Sequence, residues 1–551
     1  MVDGSRSSLA KNPPPAWVRW LLPSVSDLIF VILLGLLVFT PLSVRLLGDA
    51  GIGWHIRTGQ QILVTHSIPR TDPFSATMMG KPWFAWEWLF DLAVGRLESV
   101  AGLNGVVWFS ALIIAGVFSW TFRLLVEEGT HLMAALMLVL LAVSASMIHL
   151  QARPHVVTWL LTLAWLWILD TSESQFPFRG ARRREKILWL LPALMLVWVN
   201  VHGGWLVGFV LLGIYWAGSM WTWLRSGRDR FEDACLQLRS AARARQLIVV
   251  RLASALATFA NPYRSALHVH VYQYLANEFL MNHIDEFQSP NFHHAAQRCF
   301  AGLLLLALVA LGMKVRQVRL SRALVVLFAV CSGLLASRNV PVSSLLLVVV
   351  TGPMLGEGAY SPGRKWLWRR WRSQVSGPLL GNQSPSEICT FSDRMRAMEL
   401  RLRGHAWPLV AGLVVGWIAF HGGRWGPYTL MEAHFDAARF PVAAASFIER
   451  EGARDALLCP DYWGGYLIYR LHPAVMVVAD DRHDLYGEEF FKSYLKMMNL
   501  APDWGEFLRE HHVTRVLMPK RSPLANILVQ STSWNVLYQD DVALLLERAS
   551  P

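Results

Sequence analysis

Apolar runs close to the length of about 20 residues that a helix needs to cross a bilayer recur along this chain from residue 25 to residue 422. That pattern constrains the fold more than any motif does. Inside hydrocarbon every backbone N–H and C=O must be paired within the protein, and a helix does so within one segment. Runs at about 25–46, 102–122, 131–149, 155–170, 187–200, 203–224, 246–260, 299–313, 323–337, 340–356 and 406–422 read as spans, about 11 in all. Composition agrees: 54% of residues are hydrophobic and 16% charged, where a soluble chain carries about a quarter charged residues. The first run is no cleavable signal, because Thr40-Pro41-Leu42-Ser43 offers no small-x-small site. Tryptophans near span ends (Trp17, Trp20, Trp83, Trp108, Trp205, Trp221) read as interfacial belts.

A net charge of +12 would suit nucleic acid if it were spread over one face. It is not. Basic residues gather in alternate loops: Arg179 to Lys186, Arg225 to Arg245, Lys314 to Arg322 and Arg364 to Arg372, while the intervening loops hold few. This positive-inside bias places the N-terminal tail, 1–24, in the cytoplasm and the region after the last span outside. Membrane lipids are therefore the expected partners, and nucleic acid is not. The five cysteines (Cys235, Cys299, Cys331, Cys389, Cys459) show no CxxC spacing, so neither thiol catalysis nor a thiolate metal site is expected.

The reading is thus a polytopic α-helical membrane domain, 25–422, with structured outer loops at 47–101 and 261–298, followed by a small extracytoplasmic α/β domain, 423–551. In the first outer loop, Thr71-Asp72-Pro73-Phe74-Ser75 reads as a turn. Residues 83–98 read as a helix in the membrane interface, with Glu87, Asp91 and Glu98 on one stripe. The inner loop at 357–405 holds a Gly/Ser/Pro stretch, Ser373 to Ser386, of linker composition. In the tail, Phe440 to Arg450 reads as a helix and Ala456 to Cys459, Val475 to Ala479 and Arg515 to Met518 as strands. Trp534 to Leu546 reads as a hairpin turning at Asp540-Asp541.

Sorted by side, the outer face collects the residues that could carry chemistry. Asp49 follows the first span. His55 and Glu87 lie in the first outer loop, and Arg153, His155, His202 and Arg338 stand at span ends. Polar groups at membrane depth are costly unless they face protein or a wet cavity, so each is a site candidate, with helix-end capping as the plain alternative. The second outer loop is rich in histidine: His268, His270, His283, His293 and His294, with Asp285 and Glu286 among them. His268-x-His270 alternates as on a strand, and no helical i, i+4 His pair is present, so solvated histidines are favoured over a metal site. In the tail, Asp480-Asp481-Arg482-His483-Asp484 reads as a turn with an internal Arg–Asp pair before it reads as a ligand site. Tyr462-Trp463-Gly464-Gly465-Tyr466 reads as packing before it reads as a carbohydrate-stacking surface.

The stretch 49–97 resembles the first outer loop of GT-C superfamily glycosyltransferases, polytopic enzymes that use polyprenyl-phosphate sugars. The matching elements, in order, are Asp49, Trp54-His55, Gly59, Gly80-Lys81-Pro82-Trp83 and Trp86-Glu87-Trp88-Leu89. The chain is also similar to a group of bacterial membrane proteins with this loop, an Asn-x-His-Gly-Gly turn and an outer α/β tail. It departs from the family in three places. One carboxylate stands in Asp49-Ala50 where the family has a pair, no Lys-Pro-Pro element is present, and there is no Asp-x-Asp.

The resemblance implies a GT-C-like fold in the bacterial cytoplasmic membrane. It implies transfer of a sugar from a polyprenyl-phosphate donor to a glycan, lipid or protein acceptor of the cell envelope, with inversion. Asp49 would be the general base, and Arg153 or Arg338 would hold the departing phosphate. His55, Glu87, His155 and His202 would bind donor or acceptor. No resident cofactor is implied, with a divalent metal as the weaker alternative. The competing function is a non-catalytic subunit that binds or exports a lipid-linked glycan. Against it, transport places charge within spans, and Arg251 is the main such residue here, near enough to a span end to snorkel.

Overall fold

The computed structural model describes residues 16–173, 186–226, 231–314, 318–356, 394–402 and 404–549. Most of the N-terminal tail, the basic residues Arg179 to Arg184, Arg228, Arg230, Arg316 and Arg364 to Arg372, the linker-like stretch Ser373 to Ser386 and Cys389 lie outside the described residues.

The first long helix, Val25–Phe39, starts at a capping box. The Ser24 side chain takes the Asp27 amide and the Asp27 carboxylate takes the Ser24 amide at 2.8 Å. The Glu399 carboxylate accepts the Val25 and Ser26 amides at 2.7 and 3.2 Å, a negative group at the positive helix end. The expected run 25–46 breaks at Thr40-Pro41, where proline supplies no N–H, and resumes as the short helix Leu42–Leu46. Asp49 follows at once, and the helix Gly51–Thr65 begins beside it.

The other expected runs also fall on helices. Among the described residues, six helices are long and apolar enough to cross a membrane, or seven if the bent pair Arg394–Arg401 and Ala406–Phe420 counts as one. The helix Trp88–Glu127 runs for 40 residues and is broken at Gly102, whose φ of +59° suits glycine. Its first part, up to the break, corresponds to the stretch read as interfacial.

Two close approaches by glycine hold the first loop in place. A β-carbon on Gly95 would lie 2.6–2.7 Å from the backbone of Gly59 and Gln60, so the Gly51–Thr65 and Trp88 helices meet at backbone distance. On the other side, a β-carbon on Gly465 would lie 2.7 Å from the Ala50 carbonyl carbon. Gly465 belongs to the tail helix Asp461–Leu471, so the tail rests directly on the segment that carries Asp49. Tyr462 to Tyr466 is thus mostly packing, with Trp463 and Tyr466 buried.

The tail opens with a hairpin of β1 (Arg424–Trp425) and β2 (Tyr428–Thr429). Its sheet comprises β3 (Leu457–Leu458), β4 (Arg515–Pro519), β5 (Trp534–Gln539) and β6 (Ala543–Arg548), in the order β3-β4-β6-β5. β3 and β4 are parallel and the other pairs antiparallel. Val475 to Ala479 differs from the strand expected there. Its backbone divides its hydrogen bonds between β3 (Val478 N–H to Leu457 O, 2.9 Å) and the first loop (Ala76 N–H to Val477 O, 2.8 Å). It therefore stitches the first loop onto the tail sheet instead of completing a ladder.

Arg482 fastens the same junction. Its guanidinium, 1% exposed, pairs with Asp480 and Asp72 at 2.7 Å each and faces the Trp83 ring at 4.7 Å. The turn reading of Asp480 to Asp484 therefore holds for Asp480 and Arg482, but the arginine also reaches across to the loop at Asp72. At the other end of the bundle, Arg322 pairs with Glu128 (2.6 Å) and Asp170 (3.1 Å), and Arg243 with Glu173 (3.3 Å). Those arginines, read in the sequence only as topology determinants, are also interior ion-pair partners.

Candidate active site

A cavity of about 860 Å³ lies between the helical bundle and the tail. Asp49, Glu87, Arg153, His155, His202 and Arg338 all line it. These residues come from five separate stretches of chain, and no local sequence pattern would bring them together. His55 does not reach the wall. It is fully buried behind Glu87 and Asp91, so it cannot bind substrate directly as the resemblance implied.

The charged end of the cavity is built on Arg153. Its turn is pinned to the end of the short helix Leu42–Leu46 by the Ala152 N–H, which donates to Leu46 O at 2.7 Å. The Arg153 Nη1 lies 3.1 Å from each Asp49 carboxylate oxygen, and the Gly51 amide donates to Asp49 Oδ1 at 2.8 Å. A third group, missed in the sequence as a site residue, completes this end: Asp481 of the tail. Its Oδ2 is 3.7 Å from the same Arg153 nitrogen, and its Oδ1 accepts the Trp54 indole N–H at 3.0 Å. Burial lifts the Asp481 carboxyl to about 7 against the pull of Arg153, with the neighbouring Asp49 charge adding to the rise. The guanidinium of Arg153, between these carboxylates, is held above its ordinary range despite burial.

A second cation stands nearby. Arg338 pairs with Glu286 at 3.1 Å and stacks over the Phe287 ring at 4.5 Å. Burial opposes ionisation of Glu286, but Arg338 and Arg153 outweigh it and hold that carboxyl down to about 2. Glu286 belongs to the His-rich loop, where the remaining expectations change. His268 and His270 lie on the helix Ser265–Leu275, not on a strand. Their side chains are engaged locally: His268 with Thr258 at 2.8 Å and His270 with Asp484 at 2.9 Å. Among the described residues, no group of three or more His, Cys, Asp or Glu is arranged to hold a metal ion.

The opposite wall is uncharged in character, and its hydrogen bonds assign the tautomer of His202. His202 Nδ1 accepts the Gly204 amide at 3.0 Å and faces the Thr158 hydroxyl at 2.9 Å. Thr158 itself accepts the Trp198 indole N–H at 2.9 Å, so its own proton points to His202. The His202 proton therefore sits on Nε2, 3.8 Å from Glu87 Oε1. On the other side, His55 Nδ1 lies 2.6 Å from Asp91 Oδ1, and His55 Nε2 lies 3.7 Å from Glu87 Oε2. A neutral carboxyl group suits this buried place between two neutral imidazoles. In keeping with that, burial pushes Glu87 up to about 8, and burial holds His55 and His202 well below the usual imidazole range.

No family model matches the chain, and no curated protein matches it. Solved structures do. The archaeal oligosaccharyltransferase AglB from Archaeoglobus fulgidus, in complex with an inhibitory peptide and a dolichol-phosphate, aligns with 90% of this chain and 68% of its own at 11% identity, with a TM-score of 0.53. The Archaeoglobus fulgidus oligosaccharyltransferase tethered to an acceptor peptide covers 96% of this chain and 74% of its own, at 11% identity and a TM-score of 0.51. The chain shares the fold of these oligosaccharyltransferase structures. ArnT from Cupriavidus metallidurans bound to undecaprenyl phosphate covers 97% of this chain and 98% of its own at 13% identity. Its TM-score of 0.48 is too low to add to the argument. At these identities the likeness is one of fold, and the chemistry rests on the residues of this chain's own cavity.

Proposed function

We propose that this protein transfers a sugar from a polyprenyl-phosphate donor to a cell-envelope acceptor in the bacterial cytoplasmic membrane. In this reading the chain crosses the membrane about 11 times, with its N-terminus in the cytoplasm and its tail and cavity outside. One observation carries it: Asp49 and Arg153 meet in a single cavity with Glu87, His155, His202 and Arg338. The two chemistries that such a transfer needs, a carboxylate for the acceptor proton and cations for the departing phosphate, are therefore side by side.

The roles follow from the geometry. Arg153 and Arg338 would hold the phosphate through charge-assisted hydrogen bonds. The neutral wall of Glu87 and His202 would take the sugar hydroxyls, and His155 would line the same pocket, its Nε2 hydrogen-bonded to His149 O at 2.8 Å. Asp49 would accept the acceptor proton. A direct displacement at the anomeric carbon would invert it. The likeness to proteins described with dolichol-phosphate and acceptor peptides supports a lipid-linked donor in general terms.

A second reading, a non-catalytic subunit that binds or exports a lipid-linked glycan, draws on one feature. Arg153 and the Gly51 amide occupy lone pairs of Asp49, so the base is masked until something moves Arg153. Lipid extraction from a strain lacking the gene separates the readings. Transfer predicts that a polyprenyl-phosphate sugar accumulates, and that only a copy with Asp49 intact clears it. Clearance by Asp49→Asn as well as by the wild type would favour the subunit.

A further inference from the structure

Asp481 has no place in the loop resemblance, and it lies 432 positions along the chain from Asp49. Yet the two carboxylates converge. The point that a β-carbon on Gly51 would occupy lies 2.5 Å from Asp481 Oδ2, 3.0 Å from Asp49 Oδ1 and 3.2 Å from the Arg153 guanidinium carbon. Any side chain at residue 51 would fill the space where the three groups meet. The position of Asp481 is also over-determined. Trp54 donates to it, Arg482 anchors the residue after it, and the Gly465 contact seats the tail helix on the Asp49 loop. The loop offers one carboxylate here, Asp49, and the tail brings a second, Asp481, to the same place.

Resting on the transfer reading above, we propose that Asp49 and Asp481 form a carboxylate pair that holds the acceptor proton, and that the lipid phosphate unmasks this pair by drawing Arg153 to itself. Two carboxylates at this separation do not both stay ionised once their shared cation leaves, because each raises the other's affinity for a proton. Donor binding thus leaves the pair with one proton and one ionised carboxylate free of its cation, and that carboxylate is the one that takes the acceptor proton. In the transfer step a lone pair of the acceptor oxygen forms the new bond to the anomeric carbon. The bond from that carbon to the phosphate oxygen breaks with its electron pair on the phosphate, where Arg153 and Arg338 hold the charge. The acceptor proton passes to the pair. The Asp49–Arg153 pair is then the first half of an ordered mechanism, and the tail is part of the active site.

The groups facing Asp481 are Asp49, Arg153 and the Trp54 indole across the cavity, and Asp480, Arg482 and His483 from its own segment. Among these, the arm expected to move is Arg153. Burial already lifts the Asp481 carboxyl to about 7 with the arginine in place, so withdrawal of the cation at pH 8 will make the pair take up a proton.

The test is calorimetric titration of the full chain in nanodiscs with a polyprenyl monophosphate at pH 8, in two buffers of different ionisation enthalpy. At this pH the lipid phosphate, with a second pKa near 6, is already dianionic and contributes little. The wild type is expected to take up roughly half a proton or more per lipid. Asp481→Asn should bind the lipid with that uptake largely lost, and Asp481→Glu should restore it. Equal uptake in the wild type and Asp481→Asn, or none in the wild type, overturns the pair while leaving lipid-phosphate binding intact. Failure of the wild type to bind the lipid overturns the donor reading itself and the pair with it. If Asp481→Asn does not fold, the wild type still decides: uptake must fade below pH 6, where Asp481 already holds its proton.

Discussion

Glu87→Gln offers a sharp test of the neutral wall. Glu87 is 8% exposed and sits 3.8 Å from His202 Nε2 and 3.7 Å from His55 Nε2. A glutamine has nearly the shape of the neutral carboxyl group and carries no charge at any pH. The wild-type carboxyl has an ordinary value of 4.5 and is pushed up to about 8 by burial, against the pull of Arg153. Between those values the folded protein keeps a proton that the unfolded chain has released. Stability from this group is therefore lost as pH rises from 4.5 towards 8, at about 1.36 kcal/mol per pH unit. By pH 7 the penalty reaches roughly 3 kcal/mol, which Glu87→Gln removes. Thermal unfolding in nanodiscs between pH 6 and 9 is the assay. The variant should melt at or above the wild type at pH 8, and its melting temperature should fall less steeply with pH. A variant that melts lower throughout, or keeps the wild-type slope, would refute a neutral Glu87.

Further outcomes follow from the junction. Arg482→Met leaves Asp72 and Asp480 buried without their cation and should cost about 3–5 kcal/mol, read as a drop in melting temperature with early proteolysis of the tail. In the wild type, Arg482 outweighs burial and holds Asp480 below its ordinary range. That pair's contribution is present above about pH 4 and is lost as pH falls through the lowered value, so acid should loosen the tail in the wild type and matter less in Arg482→Met. Gly465→Ala places a methyl group 2.7 Å from the Ala50 carbonyl carbon and should cost about 1–3 kcal/mol by overpacking. Because the Asp49 segment must shift, it should also weaken binding of polyprenyl monophosphate.

The bundle was legible in the sequence because bilayer thickness writes a period of apolar length onto any spanning chain. Asp49, Arg153, His202 and Arg338 were legible as candidates for a related reason: polar groups at span ends stand out against hydrocarbon. Their convergence was not. Arg153 reaches Asp49 because Ala152 hydrogen-bonds to Leu46, a backbone contact without side-chain signature. His55 was placed in the site because it neighbours Trp54, but adjacent helix positions face different directions, and His55 points to Asp91. Asp481 was read as part of a turn, correctly for Asp480 and Arg482, whose side chains close on each other. The next side chain in the run points the other way, into the cavity. The available signal was the chemistry of the run itself: with one arginine for three aspartates in Asp480 to Asp484, a local pair could not satisfy them all. The failed strand at Val475 to Ala479 has a similar cause, since the partner that takes its second edge lies in the first loop.

The central claim is that Asp49 removes the proton of an acceptor attacking a polyprenyl-phosphate sugar. It is tested most directly by feeding the lipid-linked sugar that accumulates in the deletion strain to the purified chain in nanodiscs with cell-envelope acceptor, and following release of free polyprenyl phosphate. The wild type should release it and Asp49→Asn should do so about 10²–10⁴-fold more slowly while still binding the lipid. Release at the wild-type rate by Asp49→Asn would contradict the account.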